Sequence, residues 1–425
     1  MTWVYRITQN LLVLLIIVLA SPLTVSAGAE HNTSDINENP TINIRYVWWM
    51  LNWKSNQIVC SVPIIHEGLP TFEEIKKHCG NESANEWLYT PPCNQSKSCN
   101  GVYMHLARTE SLTNQSPTDI SESTANIFAY QQQNRKFIDS CALIWQAQPP
   151  PGRPPWLMTP DIGGSLATYN DYYYLAGRLI ANNIVKADHC RAGGLDGMGY
   201  ANECGMDAAR PFNHYWQNQF DPNIIDAAYE VGVPAQLMKN LFARESQFWP
   251  GTFYYPNEYG LGQITNNGVD VLFIWNTKFY NEFCPLILSK DSCSSSYIQL
   301  NRQDRDMLRG AVIAQINADC PDCLTGIDMD RTKLGIPFTA NLLVANCHQV
   351  AEMVTYITDY TPGAVASYQD LWLITLANYH AGSGYISNAL YKTWQKTGTL
   401  NWSEIASRIP YGAKEVHQYV EDIAQ

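Results

Sequence analysis

The residue order that implies chemistry runs from Ala243 to Thr265. It reads Ala243-Arg244-Glu245-Ser246-Gln247-Phe248, an aromatic and Pro/Gly-rich spacer, then Glu258-Tyr259-Gly260-Leu261-Gly262-Gln263-Ile264-Thr265. Leu237, Met238, Leu241 and Phe242 form one helical stripe, and Glu245 continues it one turn after Leu241. Burial on that stripe and the negative end of the helix dipole both disfavour a carboxylate. Glu245 is therefore expected to titrate above the ordinary glutamate value of about 4.3, as a general acid working near neutrality must. Gly260 and Gly262 let the backbone approach a ligand closely. The Gln263 amide both donates and accepts, which suits an N-acetyl group or a sugar hydroxyl. The plain alternative is a surface glutamate at a frayed helix end, or one paired with Arg244 or Arg210, beside an ordinary turn.

Placing Glu245 requires a helix with a defined end. Asp221 is positioned to cap a helix over Pro222 to Val231, Gly232 to end it, and Pro234 to open the next at a favoured first-turn position. Further along, Ser367 with Asp370 and Asn401 with Glu404 read as capping signals. The first opens a helix through Leu371, Ile374 and Leu376 to Tyr379. A last helix over about 413–423 turns Val416, Tyr419, Val420 and Ile423 inward.

Four short motifs then fall in order: Glu245-Ser246, Gly260-Leu261-Gly262-Gln263, Asn378-Tyr379-His380-Ala381-Gly382 and Glu415-Val416-His417-Gln418-Tyr419-Val420. Together they resemble the lytic transglycosylase and goose-type lysozyme-like superfamily. Its pattern is Glu-Ser at a helix end, Gly-Leu-Met-Gln, Ala-Tyr-Asn-Ala-Gly, and Glu-Thr-x-x-Tyr-Val. Gly262 stands where Met is usual and His380 where Asn is usual. The resemblance covers about 221–420, interrupted by an insertion at about 276–338. It implies a lysozyme-like helical domain with Glu245 as the catalytic acid and base. It also implies substrate contacts from Ser246, Gly260, Leu261, Gln263, Tyr379, His380 and Tyr419. The implied reaction cleaves the β-1,4 bond between N-acetylmuramic acid and N-acetylglucosamine in peptidoglycan and leaves a 1,6-anhydromuramyl end. One carboxylate suffices for it, with no metal and no organic cofactor. Glu258 and Asp270 read as loop or helix-start charges; either one facing Glu245 across a groove would favour hydrolysis. A lysozyme-like hydrolase and a non-catalytic wall-binding scaffold stand as alternatives.

The rest of the chain bears on compartment and organisation. A net charge of -12 over 425 residues argues against a nucleic-acid partner, which needs a basic face. A glycan would instead be held by hydrogen bonds and by stacking on some of the 13 Trp and 25 Tyr. Residues 1–29 read as a signal peptide, with Arg6, an apolar run from Leu11 to Ala20 too short to span a bilayer, and small residues at Val25-Ser26-Ala27 or Ala27-Gly28-Ala29. The expected location is secreted or extracytoplasmic (periplasm, cell wall or extracellular), with no stable membrane span after cleavage. Twelve cysteines behind such a signal favour disulfides over metal. Five precede residue 150 and seven follow it, so one bridge is expected to join the halves. Residues 41–148 read as a β-rich, cysteine-containing module with a protein or glycan partner as its expected role. Strands are expected from Thr41 to Ile65, around Val102 to Ala107, from Ala125 to Tyr130 and from Ala142 to Gln146, with a short helix from Thr71 to His78. A Pro/Gly-rich linker over 149–168 leads to a lysozyme-like domain over 169–425. The expected fold class is thus α+β, a predominantly α-helical domain behind a small β-rich module. The Gly-rich stretch over 191–205, with Asp196, reads as a plain loop.

Overall fold

The computed structural model describes residues 42–52, 58–63, 74, 76–79, 102–112, 137–161, 163–253, 257–410 and 415–425. The signal peptide, the stretch from Ala125 to Tyr130, Cys93 and Cys99 lie outside the described residues. Three strands come first: β1 (Ile42–Asn52), β2 (Ile58–Pro63) and β3 (Val102–Leu112). They make one antiparallel sheet in the order β2-β1-β3, with a register shift between Met50 and Leu51.

The α+β expectation is corrected. Among the described residues helix predominates, and no β-rich N-terminal module is seen beyond those three strands. Among the described residues, strand pairing is confined to that narrow sheet and a few isolated bridges. A three-stranded sheet has no second strand layer to close a core, so its apolar face must be covered by helices. Val62 of β2, 1% exposed, accordingly belongs to a cluster built from helices. The stretch from Ala142 to Gln146 is also corrected from strand to helix. It lies in α1 (Ser140–Trp145), where Asp139 Oδ1 accepts from the Ala142 N–H at 2.8 Å. A short apolar run does not separate strand from buried helix; the side-chain cap decides it here.

The main helices follow in chain order: α2 (Tyr173–Ala181), α3 (Glu203–Asn218), α4 (Asp221–Val231), α5 (Ala235–Ser246), α6 (Asn266–Trp275) and α7 (Thr277–Phe283). Then come α8 (Arg302–Ile316), α9 (Met329–Thr358), α10 (Tyr368–Ala381), α11 (Ser383–Thr397), α12 (Trp402–Ala406) and α13 (Glu415–Ile423). The 30-residue α9 is the spine, contacting α1, α4, α6, α8, α10 and α11. Asp328 caps its start by accepting from the N–H groups of Asp330 and Arg331. Helix α10 is buried at every position from 371 to 378, which is why its sequence shows no amphipathic stripe.

Two apolar clusters flank the spine. The larger joins α1–α5 to α9–α13; the smaller is made by α6, α7, α8 and the facing side of α9, with Phe273, Phe283 and Tyr297 in contact. Tyr379, near the end of α10, packs against both. The end of α10 therefore sits at the seam. Cys141–Cys347 ties α1 to α9 across the Pro-rich stretch. Cys60–Cys79, Cys190–Cys204, Cys284–Cys293 and Cys320–Cys323 are paired more locally. Asp221 does not cap α4. It lies inside the first turn, with its carboxylate 2.5 Å from Lys239 Nζ.

Candidate active site

Glu245 lies in the last turn of α5, next to the final residue Ser246. The helix stops because Gln247 (φ 46°) and Phe248 (φ 63°) adopt left-handed backbone, unusual for residues with side chains. That strain is held from several sides. Phe248 is fully buried, its carbonyl accepts from Trp216 Nε1 at 2.9 Å, and Gln247 Oε1 accepts from the Tyr174 N–H at 3.1 Å. Well-supported strain of this kind is typical of functional sites. Ser246 is buried, with its hydroxyl within reach of the carbonyls of Phe242 (3.1 Å) and Leu261 (2.9 Å). It couples the end of α5 to the glycine loop.

The loop is a tight hairpin. Tyr259 and Ile264 exchange both backbone hydrogen bonds (3.1 and 2.9 Å) around Gly260 at φ 69° and Gln263 at φ 49°. Gln263 Nε2 donates to the Gly260 carbonyl at 2.5 Å, whereas its buried Oε1 has no partner in the protein. Tyr379 Oη donates to the Gly262 carbonyl at 2.5 Å. A Cβ at Gly262 would stand 2.6 Å from Thr339 Oγ1, 2.7 Å from Thr339 Cγ2 and 3.2 Å from Tyr379 Oη. The spine and α10 thus already fill the place where the resemblance leads one to expect methionine.

Helix α13 packs against both α5 and α10. It brings fully buried Tyr419 to the site, where its hydroxyl donates to Glu245 Oε1. The Glu245 side chain is walled in by protein, yet the residue as a whole is half-buried and keeps some solvent access. Desolvation pushes its pKa up to about 7; the Tyr419 hydrogen bond and the Arg244 charge pull it down, and the charge of Glu258 pushes it further up. Burial and the nearby carboxylates hold the phenols of Tyr379 and Tyr419 well above their usual range, so both remain donors. His380 is exposed and stacks on Tyr419, with centroids 4.0 Å apart and planes within 11°. Partial desolvation of its stacked ring and the Arg244 charge lower its pKa, while Glu415 opposes them.

The structure therefore brings together Glu245, Tyr379, His380, Tyr419 and the loop from Gly260 to Gln263. Ser246 and Leu261 are buried, where they hold the loop. The ion-pair alternative for Glu245 goes elsewhere: Arg244 pairs with Asp422 at 2.9 Å and lies over the Tyr419 ring, and Arg210 pairs with Asp171 and Asp207. Of the two nearby acids, Asp270 is engaged by Arg309 (2.9 Å) and Tyr297 (2.5 Å). Glu258 differs. It is half-buried, its own pKa is raised by burial, and its charge is felt at both Glu245 and Tyr379. Sequence reasoning read Glu258 as a loop charge, with a role in hydrolysis only if it faced Glu245, and missed Thr339, which lies on a distant helix and carries no local signal. Among the described residues, His189, Cys190 and Cys204 place three potential metal-ligand atoms together, but both sulfurs are in a disulfide and cannot ligate as thiolates. Comparison with known proteins returns nothing: no family model matches the chain, and no curated protein or solved structure matches it.

Proposed function

We propose that the protein is an extracytoplasmic glycan-cleaving enzyme, a lytic transglycosylase acting on the bond between N-acetylmuramic acid and N-acetylglucosamine in peptidoglycan. The observation that carries this is Glu245: a carboxyl at the end of a buried helix, held by the Tyr419 hydroxyl and titrating at about 7. Such a group is protonated often enough near neutrality to act as an acid, and its conjugate base is then strong enough to act in the second step. Glu245 gives its proton to the glycosidic oxygen as the C1–O bond breaks. The resulting carboxylate takes the proton of the C6 hydroxyl as O6 bonds to C1. The proton count closes without water, and no second carboxylate is required.

Hydrolysis is the second reading, and Glu258 favours it. A second acid close enough to be felt at Glu245 could take a proton from an attacking water. Mass spectrometry of the soluble products from purified peptidoglycan decides between the two. Anhydro-ended fragments from the wild type, and none from Glu245→Gln, are expected. Reducing-end fragments that vanish in Glu258→Gln would replace transglycosylation by hydrolysis. Unchanged release by Glu245→Gln would refute the assignment of Glu245.

A further inference from the structure

The loop between α2 and α3 has no part in the chemistry above, yet it is held in place from several directions. Cys190–Cys204 closes it. Asp196 Oδ1 accepts from the N–H groups of Met198 and Tyr200, both at 2.9 Å, and the Asp196 N–H donates to the Tyr200 carbonyl at 2.8 Å. Asp196 therefore builds the turn, with Gly199 at φ 84° supplying the left-handed step. The turn lies directly on α2, because Gly177 has no side chain. A Cβ there would stand 2.3 Å from the Gly199 carbonyl oxygen and 2.9 Å from Tyr200 Cα. The Ala201 N–H completes the docking by donating to the Tyr173 carbonyl at 3.0 Å.

What this arrangement presents is the Tyr200 side chain, which stays 38% exposed above a fixed backbone. Its ring is 5.6 Å from that of Tyr174, and the Tyr174 ring is 5.3 Å from that of Phe253, with interplanar angles of 58° and 37°. Both inner rings are half-buried and anchored to the candidate site. The Tyr174 N–H donates to Gln247, the residue that ends the helix of Glu245. Phe253 exchanges both backbone hydrogen bonds with Glu258, at 3.1 and 3.0 Å. Three aromatic rings thus run in a tilted row from the tip of a stapled loop to the hairpin beside Glu245. Successive pyranoses of a β-1,4 glycan are also turned relative to one another. A net charge of -12 gives the chain no overall attraction for an acidic wall polymer, so stacking and hydrogen bonds must carry much of the binding.

We propose that Tyr200, Tyr174 and Phe253 form a stacking subsite for sugar rings of the glycan strand some units away from the bond that Glu245 cleaves, with Tyr200 at its outer end. This inference rests on the glycan-cleaving reading above. The test uses full-length Glu245→Gln protein, so that substrate is bound without turnover, and peptide-free peptidoglycan strands fractionated to a tetrasaccharide and an octasaccharide. In titration calorimetry, adding Tyr200→Ala is expected to weaken the octasaccharide about fivefold to tenfold, as the loss of one aromatic stacking partner should. The tetrasaccharide should be affected far less, and Tyr200→Trp should keep the affinity for the longer strand. Equal affinities for the octasaccharide with and without the Tyr200 ring would overturn the subsite while leaving the cleavage reading intact, provided the wild type still releases fragments. Absence of binding by the Glu245→Gln parent, together with absence of fragments from the wild type, would overturn both.

Discussion

Glu245 titrates at about 7 because desolvation outweighs the Tyr419 hydrogen bond, and its two charged neighbours act in opposite directions on the balance that remains. The general acid is lost as Glu245 ionises, so kcat/KM is expected to fall on the alkaline side of about pH 7. Tyr419→Phe removes a donor that favours the carboxylate and should move that limb to higher pH. Glu258→Gln removes a negative charge that disfavours it and should move the limb to lower pH. A pH–rate profile of the two variants checks both signs, and shifts in the same direction would defeat the assignment. The same ionisation has a stability consequence. The folded pKa of about 7 lies above the ordinary value of 4.5. The contribution of Glu245 to stability is therefore complete below about 4.5 and is lost as pH rises through about 7. Glu245→Gln should consequently raise the melting temperature in mildly alkaline buffer, by about 3 kcal/mol in unfolding free energy, and change it little in acid. Equal effects at both pH values would show that the carboxyl is not held neutral by the fold.

At the scale of elements, the glycine loop is shaped by a helix that contacts it from far along the chain. Thr339 on α9 occupies the space next to Gly262 with both of its γ atoms and is itself 1% exposed. Gly262→Ala should therefore displace the loop, lowering turnover about tenfold or more and stability by about 1–3 kcal/mol, the usual range for overpacking. Gly262→Ala combined with Thr339→Ala removes both clashing atoms and should recover most of each; assays and thermal melts of the single and double variants check it. Legibility from sequence divides along the same line. The caps at Ser367 and Asn401, the end of α4 at Gly232 and the inward face of α13 are local signals, and the structure has them. The apolar stripe of α5 likewise placed Glu245 on a buried helix end. The strand expected from Ala142 to Gln146 failed because four adjacent apolar residues fit either element. The partner of Asp221 was missed because Lys239 lies on the next helix, and a capping pattern says nothing of tertiary pairing. The β-rich module was over-read from alternation alone, since alternation does not reveal what covers a strand's apolar face.

On the scale of the whole molecule, the site lies where two apolar clusters meet along α9, and its geometry depends on that helix serving both. Cys141–Cys347 fastens α1 to α9 within the larger cluster. There Trp145 stacks edge-on against Trp372 at 5.2 Å and donates its Nε1–H to the Cys347 carbonyl at 3.0 Å. Its sulfurs belong to fully buried residues, and 206 positions separate them in sequence. The bridge therefore removes much of the freedom of the unfolded chain while adding little to a junction that packing already fixes. Its loss should act on stability and leave the chemistry alone. Replacing both cysteines by serine is expected to cost about 2–5 kcal/mol, read as a drop of several degrees or more in melting temperature. The alkaline limb of the pH–rate profile, which reports the surroundings of Glu245, should stay where it is. A shifted limb in the double variant would mean that the two clusters move relative to each other without the bridge, and that the seam holding Tyr379 against Gly262 depends on the disulfide as well as on packing.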